Sequence, residues 1–150
     1  MSRNSSYFKG ERFNALAKKE GFRSRAAYKL IQIQKDFKLI KSGDNILDLG
    51  SAPGGWSQVA SNILSGSGSI IAIDLLPMKK ITNVDFHQLD LNDIDKINLR
   101  EISIVLSDIA PNISGVNIID DENMIALLEI EISIVDKFLQ IGGKYLCKCF

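Results

Sequence analysis

A chain of 150 residues, 45% of them hydrophobic, is of single-domain size and can build one sizeable core. Its 18 Lys and Arg balance 18 Asp and Glu, which excludes a uniformly basic or acidic protein; yet residues 1–41 hold eleven of the cations and three acids, and the remainder is correspondingly acidic. No apolar run approaches membrane-spanning length, no hydrophobic signal segment follows the first residues, and one His with two Cys offers no zinc cluster, so the expectation is a cytoplasmic protein with no membrane and no metal.

Residues 1–22 read as a basic polar arm, with a helical turn around Asn14 to Lys19. Tyr7, Phe8, Phe13 and Phe22 interleave with its cations, a pattern suited to touching phosphates and stacking bases. A helix is predicted from Ser24, as N-cap, to Phe37, with Ala26, Leu30, Ile33 and Phe37 at helical spacing. Arg25 and Lys29 lie one turn apart, off that apolar stripe. The turn Lys41-Ser42-Gly43-Asp44 leads into a first strand over 45–49.

The loop that follows, Asp48-Leu49-Gly50-Ser51-Ala52-Pro53-Gly54-Gly55-Trp56-Ser57-Gln58, leaves a strand and opens a helix over about 56–64. Gly50 suits a backbone conformation that a β-carbon obstructs, and Gly54 and Gly55 are expected to let a ligand approach the main chain. The helix N-terminus turns free N–H groups and a partial positive charge toward a carboxylate or phosphate. The spacing is not G-x-G-x-x-G, so the dinucleotide fingerprint fails. A second strand over 69–73 ends at Asp74, about twenty residues on, where open α/β folds place a carboxylate for ribose hydroxyls. A third, over 84–88, runs to Asp90, which can accept from an exocyclic amine.

Strand 102–107 ends at Asp108, and a long helix from about Glu122 to Leu139 is terminated by Ile141-Gly142-Gly143 before a last strand from Lys144 to Phe150. This alternation predicts an α/β fold, a mostly parallel, doubly wound sheet whose strands all end on one rim. Asp108 then sits beside the nucleoside ligand that the loop and the strand-end acids are expected to hold. Lys148, a cation in an otherwise apolar strand, is expected to pair with it. Cys147 and Cys149 point to one side of that strand as small core thiols in a reducing compartment.

Together the Asp48–Gln58 loop, Asp74-Leu75-Leu76-Pro77-Met78, the segment Ser107-Asp108-Ile109-Ala110-Pro111-Asn112-Ile113-Ser114-Gly115 and Arg23-Ser24-Arg25-Ala26-Ala27-Tyr28-Lys29-Leu30 closely resemble the FtsJ (RrmJ) family of ribosomal RNA 2'-O-methyltransferases. The match runs in order from about Arg23. The resemblance implies a Rossmann-like class I methyltransferase domain over 23–150, with S-adenosylmethionine as donor, held by Gly54, Trp56, Asp74, Asp90 and Asp108. It also implies a Lys-Asp-Lys-Glu tetrad, whose first three members match Lys29, Asp108 and Lys148. The implied acceptor is a uridine ribose of large-subunit rRNA within the assembled subunit, met by a monomer with no DNA partner.

For in-line transfer from a sulfonium to a hydroxyl, the residues must align two reactants and remove a proton. Lys148 is the candidate base, with desolvation and the like charge of Lys29 favouring the neutral amine and Asp108 orienting it. Family members continue beyond the position of Phe150 through further strands and the tetrad's glutamate, so the chain reads as shortened at its C-terminal end, with an unpaired edge on the last strand. A catalytically weak RNA-binding or ribosome-assembly factor that keeps the cofactor pocket is the alternative reading.

Overall fold

The computed structural model describes residues 3–111 and 114–149, residues 3–9 by backbone alone. Phe150, Asn112 and Ile113, and the side chains of Tyr7 and Phe8, lie outside the described residues. Strands β1 (Asn45–Leu49), β2 (Ser69–Asp74), β3 (Asp85–Gln88), β4 (Ile102–Ser107) and β5 (Leu139–Cys147) form one parallel sheet in the order β3-β2-β1-β4-β5. Helices α1 (Arg3–Lys19), α2 (Ala26–Phe37), α3 (Gly55–Leu64) and α4 (Asn117–Phe138) accompany it, with a 3-10 turn over Leu91–Lys96.

Strand alternation distributes β1 between two cores. Ile46 joins Leu30, Trp56 and Val59 on the α2–α3 side, while Leu47 and Leu49 join Ile94, Val105 and Ile134 on the α4 side. The pairings Leu49 with Ile73, Leu49 with Ser107 and Ser107 with Cys147 bring the carboxyl ends level. One residue further on, Asp74, Gly50, Asp108 and Lys148 therefore share a rim, as the doubly wound reading requires.

Several expectations are corrected. The polar arm is helical from Arg3 to Lys19; it docks through the small buried residues Gly10 and Ala17, which leave no apolar stripe in the sequence. Arg25, not Ser24, occupies the N-cap position of α2, without a side-chain capping bond. Helix α4 starts at Asn117, where the Asp120 carboxylate gathers the N–H groups of Ser114 and Gly115, and it ends at Phe138, ahead of the glycines. The glycines instead sit in a bulge of β5, where four residues between Leu139 and Lys144 face Ser103 alone, and Gly142 has φ +80°. Regular pairing begins at Lys144 as expected, but β5 ends at Cys147; Lys148 continues the ladder with one bond, its N–H donating to the Ser107 carbonyl at 2.9 Å.

Candidate active site

The rim is organised by the loop after β1. Gly50 adopts φ +68°, and a β-carbon there would collide with the Ile109 side chain. The N–H groups of Gly50 and Ser51 both donate to the Ile73 carbonyl, which ties the loop to β2. The Asp74 carboxylate accepts from the Ala52 N–H through one oxygen and the Leu76 N–H through the other, both at 2.8 Å. Each oxygen keeps a further lone pair for a diol. Asp90 caps the 3-10 turn, its Oδ1 accepting from Asn92, so it is oriented by local structure.

Gly54 and Gly55 are both closely packed. The place of a β-carbon on Gly54 is closed by Ile81, Arg23 and Met78, and that on Gly55 by Ser24. Arg23 fastens this region, donating to the carbonyls of Lys79 at 2.5 Å, Lys80 at 2.6 Å and Pro53 at 3.3 Å. Trp56 is buried, and its indole N–H donates to the Ala26 carbonyl at 2.8 Å, joining α3 to α2.

Two clefts open at the rim. One of about 620 Å³ is lined by Gly50, Ala52, Asp74, Asp90 and Asp108, with Leu127 and Ile130 of α4 as its apolar wall. The other, of about 520 Å³, is lined by Phe13, Tyr28, Lys29, Trp56, Asp108 and Lys148, among others. Asp108 belongs to both. Its Oδ1 lies 2.9 Å from the Lys148 ammonium, and side-chain parity accounts for the pairing: Ser107 and Cys147 face α4, so Asp108 and Lys148 turn toward α2. Lys29, Asp108 and Lys148 thus meet in one cleft, and Asp74, Asp90 and Asp108 in the other. Gly54 lines neither cleft, and Trp56 borders the one that holds Lys29.

The basic front also divides. Phe13 is half exposed and borders both the Lys29 cleft and a neighbouring one walled by Arg12, Leu16 and Lys19. Phe22, expected among the stacking rings, instead packs edge-on against Tyr28 at 5.5 Å and against the α2–α3 core. The Tyr28 hydroxyl donates to Glu20, which raises its pKa to about 12 and keeps it protonated.

Asp48 and Ser51 belong to the glycine loop but carry no individual role in the sequence reading. Asp48 is fully buried, and its Oδ2 accepts from Ser57 Oγ at 2.5 Å. Burial, reinforced by the charges of Asp108 and Asp74, pushes its carboxyl up to about 7, against the lowering effect of Ser57. Its Oδ1 and the Ser51 hydroxyl have no partner among the described residues, and both residues line a small cavity of about 50 Å³ with Gly50, Gly55 and Asp108, at the start of α3. The available signal was an acid placed inside the apolar run Ile46-Leu47-Asp48-Leu49.

A parallel sheet in this order, with a glycine loop after its central strand and acids at the tails of its neighbours, defines a Rossmann-like, doubly wound α/β fold. Aeropyrum pernix fibrillarin, solved with bound S-adenosylmethionine, shares that fold at TM-score 0.57 and 20% identity over 73% of this chain and 46% of its own. More specifically, the model of the FtsJ-like methyltransferase family matches residues 22–150. Ribosomal RNA large subunit methyltransferase E of Coxiella burnetii is 44% identical over 145 residues, covering 89% of this chain and 68% of the relative. The namesake from Pseudomonas fluorescens is 40% identical over 141 residues, with the same coverage. A ribosomal RNA methyltransferase from Plasmodium falciparum superposes with TM-score 0.76 at 33% identity, over 83% of this chain and 77% of that one. The chain belongs to the FtsJ-like methyltransferase family.

Proposed function

We propose that this protein transfers a methyl group from S-adenosylmethionine to a ribose 2'-hydroxyl of RNA, the acceptor being a uridine of large-subunit rRNA in the cytoplasm. The observation that carries the reading is that Asp108 borders both clefts and pairs with Lys148 at 2.9 Å, so a donor in one cleft and an acceptor in the other meet at that ion pair. The names of the Coxiella and Pseudomonas relatives support large-subunit rRNA as the acceptor.

The residues suit the cofactor. Asp74 offers oriented lone pairs to the ribose diol and Asp90 an acceptor to the adenine amine. The unpartnered Asp48 Oδ1 and Ser51 Oγ suit an ammonium, and the N-terminus of α3 suits the adjacent carboxylate. Loop residues Gly54 and Trp56 set the backbone of that end. When bound, S-adenosylmethionine supplies an electrophilic methyl group on a sulfonium. Lys148, as the neutral amine after its ammonium has given up a proton to solvent, would receive the hydroxyl proton as the oxygen attacks, with Asp108 aiming the amine and Lys29 setting a cation against the acceptor's phosphate. Alignment of the two clefts contributes on the order of 7 to 11 kcal/mol. The aromatic and cationic side chains Phe13, Arg12 and Lys19 extend this surface along a strand of RNA.

The test is to incubate the protein with methyl-labelled S-adenosylmethionine and large ribosomal subunits from cells lacking the modification. The expected result is label in an alkali-resistant dinucleotide with a 2'-O-methyluridine. Label on a base, or in ribosomal protein alone, contradicts the reading.

A further inference from the structure

Behind the ion pair, on the opposite face of the sheet, lies a buried carboxylate with no part in the chemistry above. Glu131 of α4 is 2% exposed. Its Oε1 accepts from Ser107 Oγ at 2.8 Å, and its Oε2 accepts from the Tyr145 hydroxyl. Ser107 is the last residue of β4 and directly precedes Asp108; Tyr145 lies on β5, three residues before Lys148. One side chain thus grips the carboxyl ends of the two strands that deliver the ion pair.

We infer that Glu131 is a positioning residue, which holds Asp108 and Lys148 at their working separation through Ser107 and Tyr145. The topology explains the need. Among the described residues β5 is an edge strand, laddered to β4 on one side, and its bulge interrupts the register before Lys144. Regular pairing then covers only Lys144 to Cys147, a short ladder for fixing a residue that lies one step beyond it. Bonds from α4 to Ser107 and Tyr145 add a second attachment from the sheet face. Both donors are hydroxyls, so each carboxylate oxygen is satisfied, and the Tyr145 phenol is pushed far above its ordinary range by burial and by Glu131, which keeps it a donor.

This inference rests on the proposed methyl transfer for its consequence, while its geometric content can be read separately. The test compares wild type with the triple variant Ser107→Ala/Glu131→Leu/Tyr145→Phe, which removes all three bonded groups together, and with Glu131→Gln and Tyr145→Phe, which keep the surrounding shape if the triple variant fails to fold. Trace acylation of lysines, read by peptide mass spectrometry against Lys41 and Lys79 as internal references, reports the Asp108 contact without any turnover. Released from Asp108, Lys148 is expected to react on the order of threefold faster in the triple variant, and less so in Glu131→Gln, which restores one acceptor. Turnover should fall roughly 10- to 100-fold, as displacement of a reacting group by about 1 Å implies. Folded variants whose Lys148 labelling and turnover both match wild type overturn the inference. A wild type that transfers no methyl group defeats the proposed function instead, and the labelling ratio still decides the role of Glu131.

Discussion

Asp48 shows how one residue can report on the whole site. Its folded value of about 7 stands above the ordinary 3.8, because burial penalises the charged form. Between about pH 4 and pH 7 the folded protein therefore holds a proton that the unfolded chain has lost, and the contribution of Asp48 to stability falls as pH rises through that window. For a shift of about three units the loss is on the order of 4 kcal/mol. Asp48→Asn should remove this slope, so urea unfolding at pH 5 and pH 8 is expected to show wild type losing stability relative to the variant at the higher pH. Parallel pH profiles would contradict it. At the same scale, the gathering of Lys29, Asp74, Asp90, Asp108 and Lys148 at the rim was legible because each is a polar residue at a strand end or on a helix face apart from the apolar stripe. The role of Asp48 at the head of the glycine loop depends on Ser57 and the cavity beside it, which only the fold brings together.

Among the elements, the junction of α2 and α3 positions Lys29 against the rim. It rests on Leu30, Ala27, Val59 and Trp56, with the indole N–H donating to Ala26. Trp56→Phe keeps an aromatic ring but removes that bond and part of the packed volume; a stability loss of about 1 to 3 kcal/mol in urea unfolding is expected. An unchanged midpoint and slope would show that the bond contributes nothing to docking. β1, β2 and β4 were legible as continuous hydrophobic segments because they are buried on both faces, and β3, β5 and the two central helices from residue pattern and punctuation. The boundaries that differ have local causes. Helix α1 buries small residues, Gly10 and Ala17, and so shows no amphipathic stripe. The glycines at 142 and 143 punctuate a bulge, because Leu139 is already captured by Ile102. The loop glycines 54 and 55 make room for Arg23, Ile81, Met78 and Ser24, contacts that no local pattern announces.

At the scale of the molecule, the uneven charge seen along the chain becomes a division of labour across the rim. The cation-rich first 41 residues supply Phe13, Arg25 and Lys29 to one cleft, and the acids after β2, β3 and β4 line the other. No helix among the described residues is long and apolar enough to cross a membrane. Parallel strands ending together bring the two clefts into contact at Asp108 and Lys148, and on that contact the proposed chemistry depends. The most direct measurement is a pair of assays on Lys148→Ala: methyl transfer to large ribosomal subunits, and the dissociation constant for S-adenosylmethionine by calorimetry. Transfer should drop by roughly 100- to 10,000-fold, the range for loss of a positioned base, while cofactor affinity stays near that of wild type. Retained transfer, or transfer and cofactor binding lost together, would contradict the assignment of Lys148 as the group that takes the proton.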